Sequence, residues 1–428
     1  MAASPSAVSP NRPFFFEGAK RTREKVCDQQ QREAARIDTN GDGFCSDAEI
    51  EAYMRSKQMI KPAPAQSNVP RLVQEFKHHL AGRSKSAIGD AGDYKSFDQL
   101  NLAMAKLVCD HPDKAQLVSI GKSTEGRDIW ALKISSNAAG DTSNKPGVVF
   151  TGTHHAREWM TPEVMLGLAT DMLENYDSNP DMKRRVDGAE TWVLPVVNPD
   201  GFVYSQTSDN MWRKTRSPIT ATACPADGGG EPAAPIAYGV DPNRNYWDGK
   251  PEHLDMYRPA GDTPCSTDDD YGASDDPNDE SYRGAAPASE PEVQALMAFE
   301  YGRPNIHGII DHHSYGDLLM RPWDQKPDAP PDVKDYDEVA ARMLAAQGDD
   351  QYQYIQTFQL YPTTGASVSC HEANGRYGFG IEMGQSFQPD YSEYASTYKK
   401  CAVADFAFLD WIIEKYAVTP ASPVGDRV

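Results

Sequence analysis

From about Asp93 onward the chain alternates short apolar runs with helix-periodic stretches of mixed polarity. Trp130-Ala131-Leu132-Lys133-Ile134, Val148-Val149-Phe150, Trp192-Val193-Leu194-Pro195-Val196-Val197 and Gly308-Ile309-Ile310 read as strands. Strands interleaved with helices predict an α/β domain, placed here over residues 92–418. Residues able to do chemistry follow directly on three of these runs, as expected for side chains presented at strand ends. Cys224 to Tyr238 and the aspartate-rich Ser266 to Gly284 read as surface loops. Upstream the pattern is different. Residues 1–19 carry Pro and Ser and read as mobile, and 20–57 read as helix, loop, helix, so 1–60 form a small α-helical module. Lys61-Pro62-Ala63-Pro64-Ala65 opens a stiff linker over 61–91, in which Arg71 to Leu80 has a short helical pattern that Gly82 to Gly92 breaks. No internal repeat stands out.

Composition narrows the possibilities. A chain of 428 residues, 39% hydrophobic and 25% charged, is ordinary for a soluble protein with ample core. No apolar run approaches the ~20 residues of a membrane span. A net charge of −21 argues against a nucleic-acid partner, which wants Lys and Arg, and reads instead as solubility and tolerance of calcium or salt. The opening Met-Ala-Ala-Ser-Pro has no basic-then-apolar segment, so no signal peptide is visible.

Asp38-Thr39-Asn40-Gly41-Asp42-Gly43-Phe44-Cys45-Ser46-Asp47-Ala48-Glu49 fits an EF-hand calcium loop. Asp38, Asn40, Asp42, the Phe44 carbonyl and Ser46 supply oxygens, Glu49 can bind through two, and Gly43 permits the sharp turn. Ser46 and Glu49 also cap the next helix, whose Ile50, Tyr53 and Met54 make an apolar face. The bland alternative is a well-capped acidic turn. No second hand is evident, so a structural calcium ion is favoured over a sensor, and the partner of the module is not specified.

A second metal signal lies in Gly152-Thr153-His154-His155-Ala156-Arg157-Glu158-Trp159. Glu158 stands three residues after His155, and far downstream comes Ile310-Asp311-His312-His313-Ser314-Tyr315. Two imidazoles and a carboxylate make a zinc site with its fourth position open. His155 is preferred to His154 because of the carboxylate three residues on, and His313 to His312 because it precedes Ser314-Tyr315. His154 and His312 should face the other way and serve packing.

With these go Asn198-Pro199-Asp200-Gly201-Phe202, Trp212-Arg213-Lys214-Thr215-Arg216-Ser217, Asp241-Pro242-Asn243-Arg244-Asn245 and Gly380-Ile381-Glu382-Met383. In this order, over roughly 92–418, the chain resembles the zinc metallocarboxypeptidases of the carboxypeptidase A type, which use the same ligand set. The resemblance implies a mixed twisted β-sheet flanked by helices and hydrolysis of the C-terminal peptide bond of peptides. It implies Glu382 as general base, Arg213 as oxyanion stabiliser, and Asn243 with Arg244 as readers of the free carboxylate. Arg157 is a further anion contact, with a salt bridge as its plain alternative. Tyr361 corresponds to the mobile tyrosine that closes over substrate, and Tyr315 to a residue lining the groove. Lys214 and Arg216 read as surface or structural charges. Lying in an apolar stretch, the Glu382 carboxyl should titrate above its ordinary range.

Val368 takes the specificity position, where an apolar side chain favours aromatic or aliphatic C-terminal residues over Lys or Arg. Ser369 and Cys370 replace the family's usual Asp-Trp, so this loop should be shaped differently. Of seven cysteines, Cys224 and Cys265 match a family disulfide, implying an oxidising, extracellular setting. Cys370 and Cys401 are a weaker pair, and Cys27, Cys45 and Cys109 are unassigned. The N-terminal region does not resemble the family's inhibitory propeptide. Two alternatives stand beside the carboxypeptidase. A zinc amidase or deacylase on this fold would be expected to lose the carboxylate readers, and a catalytically silent calcium-dependent binding protein would be expected to lose a ligand or Glu382. All are present.

Overall fold

A computed structural model describes residues 93–219, 239–257, 272–348 and 352–416. The calcium loop, the linker, and Cys27, Cys45, Cys224 and Cys265 lie outside the described residues. The main helices are α1 (Phe97–Asp110), α2 (Met160–Glu174), α3 (Pro180–Gly188), α4 (Pro199–Thr207), α5 (Pro291–Tyr301), α6 (Val333–Gln347), α7 (Ser367–Ala373) and α8 (Tyr394–Tyr416), with one further helical turn at Thr357–Leu360. The strands are β1 (Ala115–Lys122), β2 (Asp128–Ile134), β3 (Gly147–Gly152), β4 (Glu190–Leu194), β5 (Ile306–His313), β6 (Leu318–Arg321), β7 (Gln353–Gln356) and β8 (Tyr377–Glu382). They form one eight-stranded sheet in the order β1-β2-β4-β3-β5-β8-β6-β7. The four central strands run parallel; β2 and β6 join them antiparallel on the two sides, with β1 antiparallel to β2 and β7 parallel to β6. Thus the mixed α/β sheet expected from the sequence is present, and the four apolar runs all lie in it.

Local signals explain the borders. Ser96 and Gln99 make a reciprocal capping box at the start of α1, and Asn179 caps α3 ahead of Pro180. The third run ends earlier than its apolar pattern: β4 stops at Leu194 because Pro195 cannot donate to a ladder. Every residue of β3 is buried, since a parallel central strand is covered on both faces. Alternate residues serve alternate cores. Val148, Phe150, Leu132, Val193 and Ile310 pack under α1, α2, α6 and α8, whereas Val149, Ala131, Trp192 and Ile309 pack under α5. Cys370 and Cys401 fall in these two different cores and are free thiols, so the weaker disulfide pairing is wrong. The sheet itself separates them.

One buried acid ties this core to pH. Glu292, at the start of α5, accepts from the Thr124 N–H at 3.1 Å, but its Oε2 has no hydrogen-bond partner among the described residues. Burial, then the nearby Glu290 charge, push its carboxyl up to about 8. A folded value above the unfolded one favours folding below the unfolded pKa, an advantage lost as pH rises through the folded pKa. Glu292→Gln should therefore raise the melting temperature at pH 8 and change it little at pH 4.5. Equal shifts at both pH values in thermal melts would contradict this.

Candidate active site

The parallel strands β3, β5 and β8 end side by side, and the candidate site is built on their C-terminal ends. After β3 the backbone turns sharply. Thr153 sits at φ +57°, a left-handed conformation that costs a β-branched residue about 1–3 kcal/mol. Tertiary bonds hold it there. Its N–H donates to Thr161 Oγ1 at 2.9 Å, its hydroxyl donates to the Pro195 carbonyl at 2.9 Å, and the Thr161 hydroxyl donates to the Glu158 carbonyl at 2.9 Å. Asn198 braces the same turn, its amide donating to the carbonyls of His154 at 3.1 Å and Lys214 at 3.0 Å. The Asn198-Pro199-Asp200 motif is thereby explained as scaffolding, and Asp200 ties down Ser123, Glu125 and Arg127 in turn.

This turn presents His155 and Glu158, and His313 is the last residue of β5. One donor atom from each of the three lies within 4.8 Å of the others. His155 Nδ1 is 2.7 Å from Glu158 Oε1, and His313 Nδ1 is 3.2 Å from His155 Nδ1 and 3.1 Å from Glu158 Oε2. Two imidazole nitrogens and a carboxylate, all buried, thus aim at one point. Electrostatics favour positive charge there. Burial works against the Glu158 anion, yet His155 and His313 hold it well below the carboxylate range. Burial lowers His313, but Glu158 outweighs it and lifts the ring to about 9. Burial, followed by Arg213, pushes His155 down. Such a donor set fits zinc.

Glu382 closes β8 and is the register partner of His313 on β5. It is half-buried, and burial pushes its carboxyl up to about 8 against the pull of His313. Behind the ligand group stands Asp241, to which the sequence reading assigned no role. Its Oδ1 lies 3.2 Å from His155 Nε2, while its Oδ2 accepts from Arg213 Nε and Nη2, both at 2.8 Å. Burial favours the neutral acid, but Arg213 and then His155 hold Asp241 well below its ordinary range. A carboxylate on the far nitrogen fixes a ligand imidazole's tautomer and orientation. The only signal for this in the sequence was an acid two residues ahead of Asn243.

Asn243 and Arg244 come from a single 3-10 turn capped by Asp241. Asn243 Nδ2 is 3.3 Å from His313 Nε2, and its Oδ1 accepts from the Ser367 N–H at 2.9 Å. Arg244 is buried and donates to the Asn243 carbonyl at 2.7 Å and to the Tyr361 hydroxyl at 3.0 Å. Tyr361 is otherwise exposed, so its ring lies across Arg244 from outside. Tyr315 is exposed too and meets Phe387 edge-on, with ring centres 5.0 Å apart. Arg157 stacks 4.2 Å over Phe387 and reaches Glu280 at 3.1 Å, which is the salt bridge named as its alternative. Val368 is buried in the first turn of α7.

The departures beside Val368 have a structural counterpart. The Ser369 hydroxyl bonds the carboxylate of Asp324, whose own N–H donates back to Ser369 Oγ at 3.0 Å, and Asp324 Oδ2 accepts from the Ala366 N–H at 3.2 Å. Asp324, just past the end of β6, is thereby held against the start of α7. His154 and His312 do not belong to the donor group, although the His154 ring stacks on His313 with centres 5.4 Å apart. His154 bonds the Tyr246 hydroxyl at 2.9 Å, and His312 sits 3.0 Å from Asp405. Lys214 is a buried structural cation, donating to the Pro277 and Asp279 carbonyls, and Arg216 stacks on Tyr204.

Sheet order, strand-end placement and the His-Glu-His group together define a zinc hydrolase. The sequence model of the zinc carboxypeptidase family matches residues 100–402, and the chain belongs to that family. It is 32% identical over 350 residues to carboxypeptidase A2 of Mus musculus, covering 79% of this chain and 75% of that protein. With carboxypeptidase A1 of the same organism it shares 30% over 328 residues, 74% and 69% of the two chains. Bovine thrombin-activatable fibrinolysis inhibitor, solved in complex with a tick carboxypeptidase inhibitor, has the same fold. Its TM-score is 0.62 at 24% identity, over 76% of this chain and 98% of that one. The chain is a metallocarboxypeptidase, acting on peptide C-termini. Among the described residues no helix is long and apolar enough to cross a membrane.

Proposed function

We propose that the chain removes aromatic or aliphatic residues from peptide C-termini, with His155, Glu158 and His313 holding zinc. The observation that carries this is the convergence of those three donors beside Glu382, Arg213 and the Asn243–Arg244 turn. A zinc ion bound there supplies Lewis-acid polarisation and acidifies water. Asn243 and Arg244 bind the substrate's terminal carboxylate, the guanidinium fork giving two parallel bonds, while Tyr361 swings from Arg244 to cover it. Val368 then receives the terminal side chain, and Tyr315 and Arg157 contact the residues before it. Glu382 takes a proton from the attacking water and delivers it to the amide nitrogen that leaves. Arg213, kept rigid by Asp241, stabilises negative charge as it develops on the scissile carbonyl oxygen.

Blocked dipeptides ending in Phe, Leu, Lys or Glu test this reading, with zinc present and then chelated. Zinc-dependent release of Phe or Leu is the expected result. Release of Lys in preference would remove the role given to Val368.

In the same proposal, residues 1–60 form a calcium-binding EF-hand module using Asp38, Asn40, Asp42, Phe44, Ser46 and Glu49, joined by the 61–91 linker to a catalytic domain at 92–418. A Cys224–Cys265 disulfide and an extracellular location complete it. The loop's match to every diagnostic EF-hand position supports the first, and the flanking of the Asp241–Arg244 motif supports the second. Calorimetry should find one calcium site that Glu49→Gln weakens, and peptide mapping without reductant should recover Cys224 joined to Cys265. Absence of either result removes that part.

A further inference from the structure

A buried chain of polar groups next to Val368 takes no part in the proposed reaction. His371 on α7 has Nδ1 3.1 Å from Glu300 Oε2 and Nε2 3.0 Å from Asp311 Oδ2. Its side chain is 1% exposed, and those of Glu300 and Asp311 are 3% and 0% exposed, so water does not share the load. Ionised carboxylates only accept, so with both acids charged the ring carries hydrogen on both nitrogens and stands as a cation between two anions. Asp311 also accepts from the Thr151 hydroxyl at 2.5 Å and from the Ser367 hydroxyl.

From Ser367 the chain reaches the site by two routes. The Ser367 N–H donates to Asn243 Oδ1 at 2.9 Å, and the next residue is Val368. On the other side, Asp311 precedes His313 by two residues on β5, so both share one face of the strand. Helix α7 has seven residues and no side-chain cap at its start, too short to hold a position of its own. It lies directly on β8: a Cβ at Gly378 would come within 2.7 Å of the Val368 carbonyl oxygen. Bonds to the neighbouring strands therefore decide where Val368 sits.

We propose that His371 is a positioning residue for substrate, holding Asp311 so that its bond to Ser367 seats Val368 and Asn243 against the strand that carries His313. This inference rests on the reading of Val368 and Asn243 as substrate contacts. A neutral amide at 371 can satisfy both acids only in part and leaves them without a buried cation, so Asp311 turns and releases Ser367.

The test uses the zinc-loaded full chain and a blocked dipeptide ending in Phe. His371→Gln should raise KM about tenfold or more while kcat stays within about threefold, the mark of lost ground-state positioning. Zinc content should be unchanged. Ser367→Ala keeps every charge and should raise KM in the same direction, by about threefold. Glu300→Gln leaves the His371–Asp311 pair intact and should stay within about twofold of the parent. Should His371→Gln fail to fold, Ser367→Ala decides alone. An unchanged KM in Ser367→Ala overturns the proposal, as does Glu300→Gln matching His371→Gln, which would mean a purely structural charge. Asn243→Ala is assayed alongside. If it raises KM and Ser367→Ala does not, this inference alone fails; if Asn243→Ala has no effect, the substrate-contact reading falls first and takes this one with it.

Discussion

Replacing Glu382 by glutamine leaves about 10⁻² to 10⁻⁴ of the parent kcat, the usual worth of a positioned acid–base group, with zinc content unchanged. Size and shape are nearly conserved, so the loss reports the missing proton carrier rather than a rearranged site. Glu382 ends β8 opposite His313, close enough for their charges to interact, and its carboxylate makes no hydrogen bond among the described residues, so an amide there disturbs no side-chain bond. Burial raises its carboxyl above the ordinary range, and the base must be ionised to accept a proton. Accordingly kcat/KM of the parent should fall as pH drops through an acid limb lying above the ordinary carboxylate range, and the residual activity of Glu382→Gln should lack that limb. Measured kcat near the parent value, with zinc bound, would remove Glu382 from the mechanism.

Arg244→Ala should lower kcat/KM by about 10² to 10³ for substrates with a free C-terminal carboxylate, in line with about 2–5 kcal/mol for truncating one partner of a buried charge pair. The same change should scarcely alter whatever slow hydrolysis occurs on substrates whose C-terminus is amidated. Lysine at 244 should restore little, because a point charge cannot replace the two-pronged guanidinium. The rationale is geometric. Arg244 is buried; its guanidinium donates to the Gly272 and Asn243 carbonyls, and its side-chain partner is the Tyr361 hydroxyl, on a residue exposed enough to move aside for an anion. Equal losses on free and amidated substrates would point away from carboxylate recognition and toward an amidase-like use of the site.

The motifs were legible because they are local. His155 and Glu158 share one turn, Asn243 and Arg244 share another, and the apolar runs mark the strands that carry them. Each of these depends on residues near in sequence, whose types announce turns, caps or metal affinity. Asp241 and Asp324 were not legible as site residues. An aspartate in a polar segment looks like solvent-facing charge until the fold puts Asp241 between His155 and Arg213, or Asp324 under Ser369. The same holds for Lys214, whose burial under the Pro277–Asp279 carbonyls follows from a loop far along the chain. The pairing of Cys370 with Cys401 failed for a related reason: counting thiols says nothing about which face of a sheet each one packs on.

By itself, then, the sequence determined the α/β class and the His-Glu-His donor set, and it marked the residues proposed as base and anion readers, because side-chain chemistry and local backbone preference are written residue by residue. Tertiary structure alone decided that β3, β5 and β8 end side by side, since strand order is set by how two hydrophobic faces are covered and by no single segment. It also decided which buried acids meet which cations, because an ion pair between remote residues exists only once the sheet has brought them together and excluded water.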